Sequence, residues 1–238
     1  MCGRFSQAYT WAQIHAFSRP IGLPEGSGNL RARYNIAPTT EVQILIAGER
    51  EPELVSARWG LVPSWWKKPL KGMPSTFNAQ VETADTSPMF RGAFRARRCI
   101  IPASGFFEWT GEKAGRVPHY FSAADGGLLA FAGLWERWRS PEGELITSCT
   151  IVVRGADDWM DRYHDRMPAM LHPDDFAAWL DGTAGKDVLR RPPPALQEWI
   201  VARRVNKAGA GDEDPETIAP AGQHADREQR PHGAGGCL

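Results

Sequence analysis

Apolar positions recur along the chain in short bursts separated by proline, glycine and charge, a spacing that predicts many brief elements and no long helix. Trp11, Ile14, Ala16 and Phe17 give residues 7–18 an apolar face at helical spacing, and a Pro/Gly-rich loop follows over 20–28. Residues 42–47 and 53–61 read as two strands joined by a turn at 48–52, a hairpin pattern. An irregular, proline-bounded stretch covers 63–74, and 87–97 reads as a short helix with proline in its first turn. Strand-like segments then recur at 99–102, 105–110, 118–122, 128–135 and 147–153. Residues 157–163 and 173–180 read as helices and 196–205 as a last strand. The expectation is an α+β fold: a β-rich, mainly antiparallel, barrel-like sheet with short peripheral helices, and not repeated βαβ units.

Composition sharpens that outline. With 42% hydrophobic residues, 10 Trp and 10 Phe, 238 residues can bury a sizeable core, and no internal repeat divides them. Beyond Lys207 the chain turns to Gly, Ala, Pro and charge, which predicts one domain over 1–220 and a disordered tail over 221–238. No apolar run approaches a membrane span, and the polar start lacks a signal peptide's apolar segment; a cytoplasmic protein is expected, monomeric and without a membrane partner. Cys2, Cys99, Cys149 and Cys237 have no C-x-x-C spacing, which argues against a metal site or a disulfide framework, and nothing calls for a cofactor.

Net charge is zero but unevenly spread. From Arg58 to Arg98 eight basic residues face only Glu82 and Asp85, whereas from Lys207 onward three basic residues face six acidic ones. A basic stretch interleaved with Trp65, Trp66, Phe77 and Phe90 suits a single-strand binding groove; for 91–98 alone a solvated helix face explains the charge as well. Two adjacent tryptophans flanked by lysines are hard to bury together, so at least one is expected to face outward.

The candidate chemistry begins at the N-terminus. If Met1 is trimmed, Cys2 carries a free α-amine beside its thiol, and such an aminothiol condenses with an aldehyde to an imine that the sulfur closes into a thiazolidine. The unperturbed amine and thiol titrate near ~8 and ~8.5, so modest tuning would make both nucleophilic at neutral pH. Glu108 lies among Phe106, Phe107 and Trp109; buried there it would have a raised pKa and could shuttle protons, while strand alternation could equally turn it outward. Asn78 sits in an apolar setting where it could brace a loop, and His164, between a predicted helix and strand, could act as acid or base or serve only as a structural hydrogen-bonder.

Together these stretches resemble the SRAP family, the SOS-response-associated peptidase proteins. The matching segments are Met1-Cys2-Gly3-Arg4-Phe5, Arg33-Tyr34-Asn35-Ile36-Ala37-Pro38, Trp59-Gly60-Leu61-Val62-Pro63-Ser64-Trp65-Trp66, Phe77-Asn78-Ala79, Arg98-Cys99-Ile100-Ile101-Pro102, Gly105-Phe106-Phe107-Glu108-Trp109, Ala132-Gly133-Leu134-Trp135-Glu136 and His164-Asp165-Arg166-Met167-Pro168. The resemblance implies capture of the ring-opened aldehyde of an abasic site in single-stranded DNA as a thiazolidine crosslink, with lyase activity as a further possibility. It makes Cys2 the nucleophile, Asn78 a positioning group, Glu108 a proton shuttle and His164 an aid to ring opening and reversal. It places Arg4 and Arg166 on flanking phosphates, Trp65 or Trp66 on a base, and Pro38 and Met89 as wedges.

Two positions depart from that pattern: Gln80 stands where members usually carry Arg, and Pro88 where some carry a basic residue. Each lost phosphate contact would weaken salt-dependent affinity by about one counterion's worth. Other readings stay open: a reader of modified cytosine or plain single strands, an N-terminal-cysteine amidotransferase, for which the expected Asn-Gly pair is missing, or a peptidase.

Overall fold

The structure, a computed structural model, describes residues 2–26, 30–112 and 115–222. Twelve strands are present among them, and they build two sheets. One contains β1 (Phe5–Gln7), β2 (Arg33–Ile36), β7 (Gly105–Thr110), β8 (Val117–Ala123) and β12 (Leu196–Ile200), in the order β12-β8-β7-β1-β2. The other holds β3 (Glu41–Ala47), β4 (Pro52–Trp59), β5 (Asn78–Gln80), β6 (Arg98–Ala103), β9 (Leu129–Arg139), β10 (Leu145–Gly155) and β11 (Arg166–Pro168). Because β10 pairs with β9 as well as with β4, the ring β10-β4-β3-β6-β9 closes into a five-stranded barrel that leaves few strand edges unpaired. Pairing is antiparallel as expected except that β4 and β5 run parallel to β10.

The strand β10 organises the far side of the molecule. At the end of its ladder with β9, β11 takes over one edge (Gly155↔Arg166), while β5 takes the other (Ile151↔Asn78). Two stretches distant in sequence, around Asn78 and His164, are thereby carried to the same end of one strand. The core joins the two sheets through aromatic rings: Phe5 meets Trp59 edge-on (4.9 Å between centroids, 87°), and Trp59 meets Phe77 (5.7 Å, 81°). The Trp59 indole donates to the Phe77 carbonyl at 2.8 Å, which satisfies its buried N–H and fixes the segment leading into β5.

Several expectations need correction. The first helix is α1 (Trp11–Phe17), capped by Thr10; Gln7 belongs to β1, its side chain bridging Gln43 and the Pro102 carbonyl. The 87–97 helix shrinks to α2 (Arg91–Ala96), and 157–163 forms only a 3-10 turn at Met160–Arg162. At 173–180 a 3-10 turn leads into α3 (Phe176–Leu180), as the pattern suggested. β1, β2 and β5 have three or four residues each, too few for a periodicity to show. The predicted last strand stops at Ile200 and gives way to a 3-10 turn, Arg203–Asn206. Within the predicted tail, Ala221 donates to the Ile200 carbonyl at 2.7 Å; 223–238 lie outside the described residues. Arg98 is no solvated helix cation: it is buried between Phe94 and Trp179, 4.6 Å from each ring, and donates to the Phe94 and Ala184 carbonyls.

Two glycines separate steric need from mere presence. A Cβ at Gly105 would lie 2.4 Å from the Phe121 carbonyl oxygen, backbone that cannot yield without opening the β7–β8 ladder; at Gly92, in α2, it would meet nothing within 4 Å. Gly105→Ala is therefore expected to cost about 1–3 kcal/mol, and Gly92→Ala to stabilise by about 0.5–1 kcal/mol, both read from urea unfolding. Equal effects at the two sites would refute the steric account of Gly105.

Candidate active site

The N-terminal segment enters the site from β1. Phe5 pairs with Ile36 on one side and Phe106 on the other, and Phe107 donates to the Arg4 carbonyl at 3.0 Å, so Cys2, Gly3 and Arg4 run alongside the strand that carries Glu108. Cys2 is fully buried, its Sγ 3.7 Å from the Arg4 carbonyl. The Asn78 side-chain nitrogen donates to the Cys2 carbonyl at 2.9 Å, while its Oδ1 is buried without a hydrogen-bond partner among the described residues. Asn78 thus braces the backbone at Cys2.

Burial sets the electrostatics. It pushes the Cys2 thiol far above its usual value, and the nearby Glu108 charge acts the same way. In this closed interior the thiolate is disfavoured. Glu108 itself is 3% exposed, which rules out the outward orientation that strand alternation allowed. Burial raises its carboxyl to about 7, with Asp165 adding to the rise and Arg116 opposing it. A carboxyl with that value can both give and take a proton near neutral pH.

His164 follows the Met160–Arg162 turn and precedes β11. Its Nδ1 has two neighbours, the Arg166 backbone N–H at 3.0 Å and the Asp165 carboxylate at 2.7 Å, which require opposite protonation of that nitrogen. Burial lowers the pKa of His164, outweighing Asp165, so we assign the neutral ring at neutral pH. Nδ1 then accepts from Arg166 and the proton resides on Nε2; acidification would transfer the contact to Asp165.

A pocket of about 540 Å³ opens over these groups, lined by Gly3, Arg4, Glu108, Trp109, Arg116, His164 and Asn206. Arg4 donates through Nη1 to Asn35 Oδ1 (2.5 Å) and to the Val205 carbonyl (2.7 Å), and its guanidinium lies 5.7 Å from the Trp109 ring centroid. Asn35 is fixed in turn: its amide donates to the Lys207 and Ala210 carbonyls, and its backbone N–H donates to Asp212 at 2.9 Å. Asp212 also binds Arg33 Nε at 2.7 Å. The stretch from Lys207 to Asp212, for which no role was expected, is a clasp that holds Arg4 through Asn35.

Of the predicted site residues, Arg4, Glu108 and His164 line this pocket, Cys2 and Asn78 lie beside it, joined through the Cys2 carbonyl, and Pro38, Trp65, Trp66, Met89 and Arg166 do not line it. Arg166 is paired with Glu82 at 2.8 Å. Trp65 is 52% exposed, in keeping with one outward-facing tryptophan, and the Trp66 carbonyl accepts from the Trp138 indole. Pro38 lines a separate cleft of about 340 Å³ with Arg58, Leu70 and Met73. Beside it Thr39 has φ 74°, a left-handed conformation unusual for a β-branched residue, held by its N–H donating to the Trp59 carbonyl at 2.7 Å. Sequence reading missed Trp109, Arg116, Asn206, Asn35 and Asp212; Trp109 and Asn35 stand inside recognised segments, so their placement was the available signal. A larger cleft of about 580 Å³ near the β3–β4 turn contains none of the predicted residues. Among the described residues no group of three or more His, Cys, Asp or Glu could hold a metal, and no helix is long and apolar enough to cross a membrane.

Comparison with known proteins gives concordant matches. The chain is 36% identical over 183 residues to the abasic site processing protein YoqW of Bacillus subtilis, covering 76% of this chain and 80% of that one. It is 36% identical over 190 residues to the abasic site processing protein YedK of Escherichia coli, covering 76% and 79%. Among solved structures, a protein from Bordetella bronchiseptica superposes with TM-score 0.72 at 28% identity, covering 84% of this chain and 100% of that one. A protein from Bacteroides thetaiotaomicron superposes with TM-score 0.75 at 21% identity, covering 92% and 100%. Residues 1–208 match the family model described as SOS response associated peptidase (SRAP), and with these relatives they show that the chain belongs to the SRAP family.

Proposed function

We propose that this protein processes abasic sites in single-stranded DNA, with Cys2, after removal of Met1, forming a thiazolidine crosslink to the lesion's aldehyde. The observation that carries the reading is the buried carboxyl of Glu108, raised to about 7, in one pocket with His164 and beside the segment that ends at Cys2. Relatives named for abasic site processing support the substrate class.

Under this reading the chemistry divides between two nucleophiles. His164, neutral with its proton on Nε2, donates to the ring oxygen of the closed sugar and favours the open aldehyde. The Cys2 amine, its position set by Asn78 at the adjoining carbonyl, attacks C1; Glu108, ionised, takes the proton that the attacking nitrogen sheds and returns it to the departing hydroxyl as the carbinolamine loses water to an imine. The thiol then adds to the imine carbon, forming a C–S bond, as its proton passes by way of Glu108 to the former imine nitrogen. The balance is protein plus aldehyde less one water. A thiol whose deprotonation burial opposes is suited to this second, intramolecular step, where proximity replaces thiolate character.

Intact mass spectrometry after incubation with a single-stranded oligonucleotide carrying one abasic site tests the proposal. The expected species is the protein without Met1 plus the oligonucleotide less water, absent in Cys2→Ala. A wild-type protein that forms no adduct but binds undamaged single strands would replace this reading with that of a non-covalent binder. Glu108→Gln is expected to slow single-turnover crosslinking by about 10²-fold or more and to abolish the rise in rate through pH ~7 that the ionising carboxyl gives the wild type.

The same residue predicts an opposite trend in stability. The fold keeps Glu108 protonated up to about 7, whereas the unfolded chain ionises near the ordinary 4.5. Its contribution is therefore complete below pH ~4.5 and is lost as pH climbs through ~7, a change of roughly 3 kcal/mol. Relative to wild type, Glu108→Gln should gain about that much between pH 4 and pH 8 in urea unfolding; parallel pH profiles would show that Glu108 ionises normally in the fold.

A further inference from the structure

We propose that Arg116, at the start of the turn into β8, is an anion contact of the pocket and takes a phosphodiester flanking the reacting sugar. The inference rests on the abasic-strand reading and adds a residue that no sequence match singled out. Three arginines stand near the site, and two are already engaged. Arg4 spends Nη1 on Asn35 and Val205, and Arg166 is paired with Glu82. Arg116 is exposed, lines the pocket, and has no side-chain hydrogen bond or ion pair among the described residues. Docking a phosphate on Arg166 would displace an existing carboxylate, whereas Arg116 offers its full charge and forked donors without breaking a contact.

Its backbone is held although its side chain is not. The Asn206 amide donates to the Arg116 carbonyl at 3.4 Å, and Asn206 Oδ1 accepts from the Trp109 indole at 2.7 Å. Trp109 in turn lies against Arg4. Arg4, Trp109, Asn206 and Arg116 therefore form one wall, with a cation at each end. Arg116 also acts electrostatically on both Glu108 and His164, which places its charge close to the reacting groups. A strand entering the pocket would meet Arg116 on the same wall as Arg4 and Trp109, beside Glu108 and His164.

Equilibrium binding and crosslinking by the full-length protein test the assignment separately. In a Cys2→Ala background, a single-stranded oligonucleotide bearing one tetrahydrofuran abasic analogue is titrated between about 50 and 200 mM salt. Adding Arg116→Ala should weaken binding about tenfold at the lower salt and reduce the salt slope by about one counterion; Arg116→Glu should weaken it further and Arg116→Lys should restore most of it. Arg50→Ala, in the distant β3–β4 turn, should change neither quantity. With Cys2 intact and an abasic strand, Arg116→Ala should raise the half-saturating DNA concentration by the same factor. Unchanged affinity and slope in Arg116→Ala, or a loss confined to the maximal rate, would overturn the assignment. Failure of the wild type to crosslink would overturn the thiazolidine reading instead, with the analogue titration still deciding Arg116.

Discussion

Cys2 and Phe5 belong to the core, and the rest of the site follows from that constraint. β1 is inserted between β2 and β7, Phe5 is locked against Trp59 and Phe131, and Asn78 closes over the carbonyl of Cys2. A three-residue strand cannot hold itself in place; pairing on both edges and an aromatic anchor in the core supply what length does not. The consequence is that the backbone around Cys2 has little conformational freedom left to lose.

That placement sets a cost and its remedy in the same few residues. Burying the thiol suppresses its ionisation, and burying Glu108 suppresses that of the carboxyl. Two adjacent acids in a dry site cannot both be charged cheaply, so the pair favours one proton shared over two lost. Under the proposed reading, a thiol that gives up its proton and a carboxyl poised near neutrality to accept it are complementary. The interior is thus suited to moving protons, while ionic contacts gather at the pocket's wall.

How much of this was legible varied with the physical origin of each feature. The hairpin of β3 and β4 and the run from β6 to β10 declared themselves because each strand is long enough for turn signals and apolar bursts to register. β1, β2 and β5 were invisible to periodicity, although they carry or adjoin Cys2, Asn35 and Asn78. Asn35 was recognised through motif resemblance alone, and Cys2 and Asn78 through their chemistry, neither of which gives the pairing. Glu108 illustrates the limit in another way: alternation allowed it to face outward, and only the second layer packed over β7 decides that both faces of this strand are buried. The Asp212 clasp could not be read at all, since an acidic residue in a Gly-rich stretch looks like solvent-seeking tail until its partners, Arg33 and Asn35, are brought to it by the fold.

The clasp changes how the zero net charge should be understood. The acidic C-terminal stretch does not merely offset a basic body; through Asp212 it is consumed in holding Arg33 and Asn35, and through Asn35 it orients Arg4. Charge that is paired inside the protein no longer contributes to the field a strand of DNA encounters, so counting Lys and Arg along the sequence overstates the surface at Arg97, Arg98 and Arg166, each of which has an internal partner. What remains to attract a polyanion is local and positioned by neutral hydrogen bonds, above all those of Asn35 and Asn206. A neutral chain can in this way present a cationic pocket wall, with Arg4 and Arg116 held through the amides of Asn35 and Asn206.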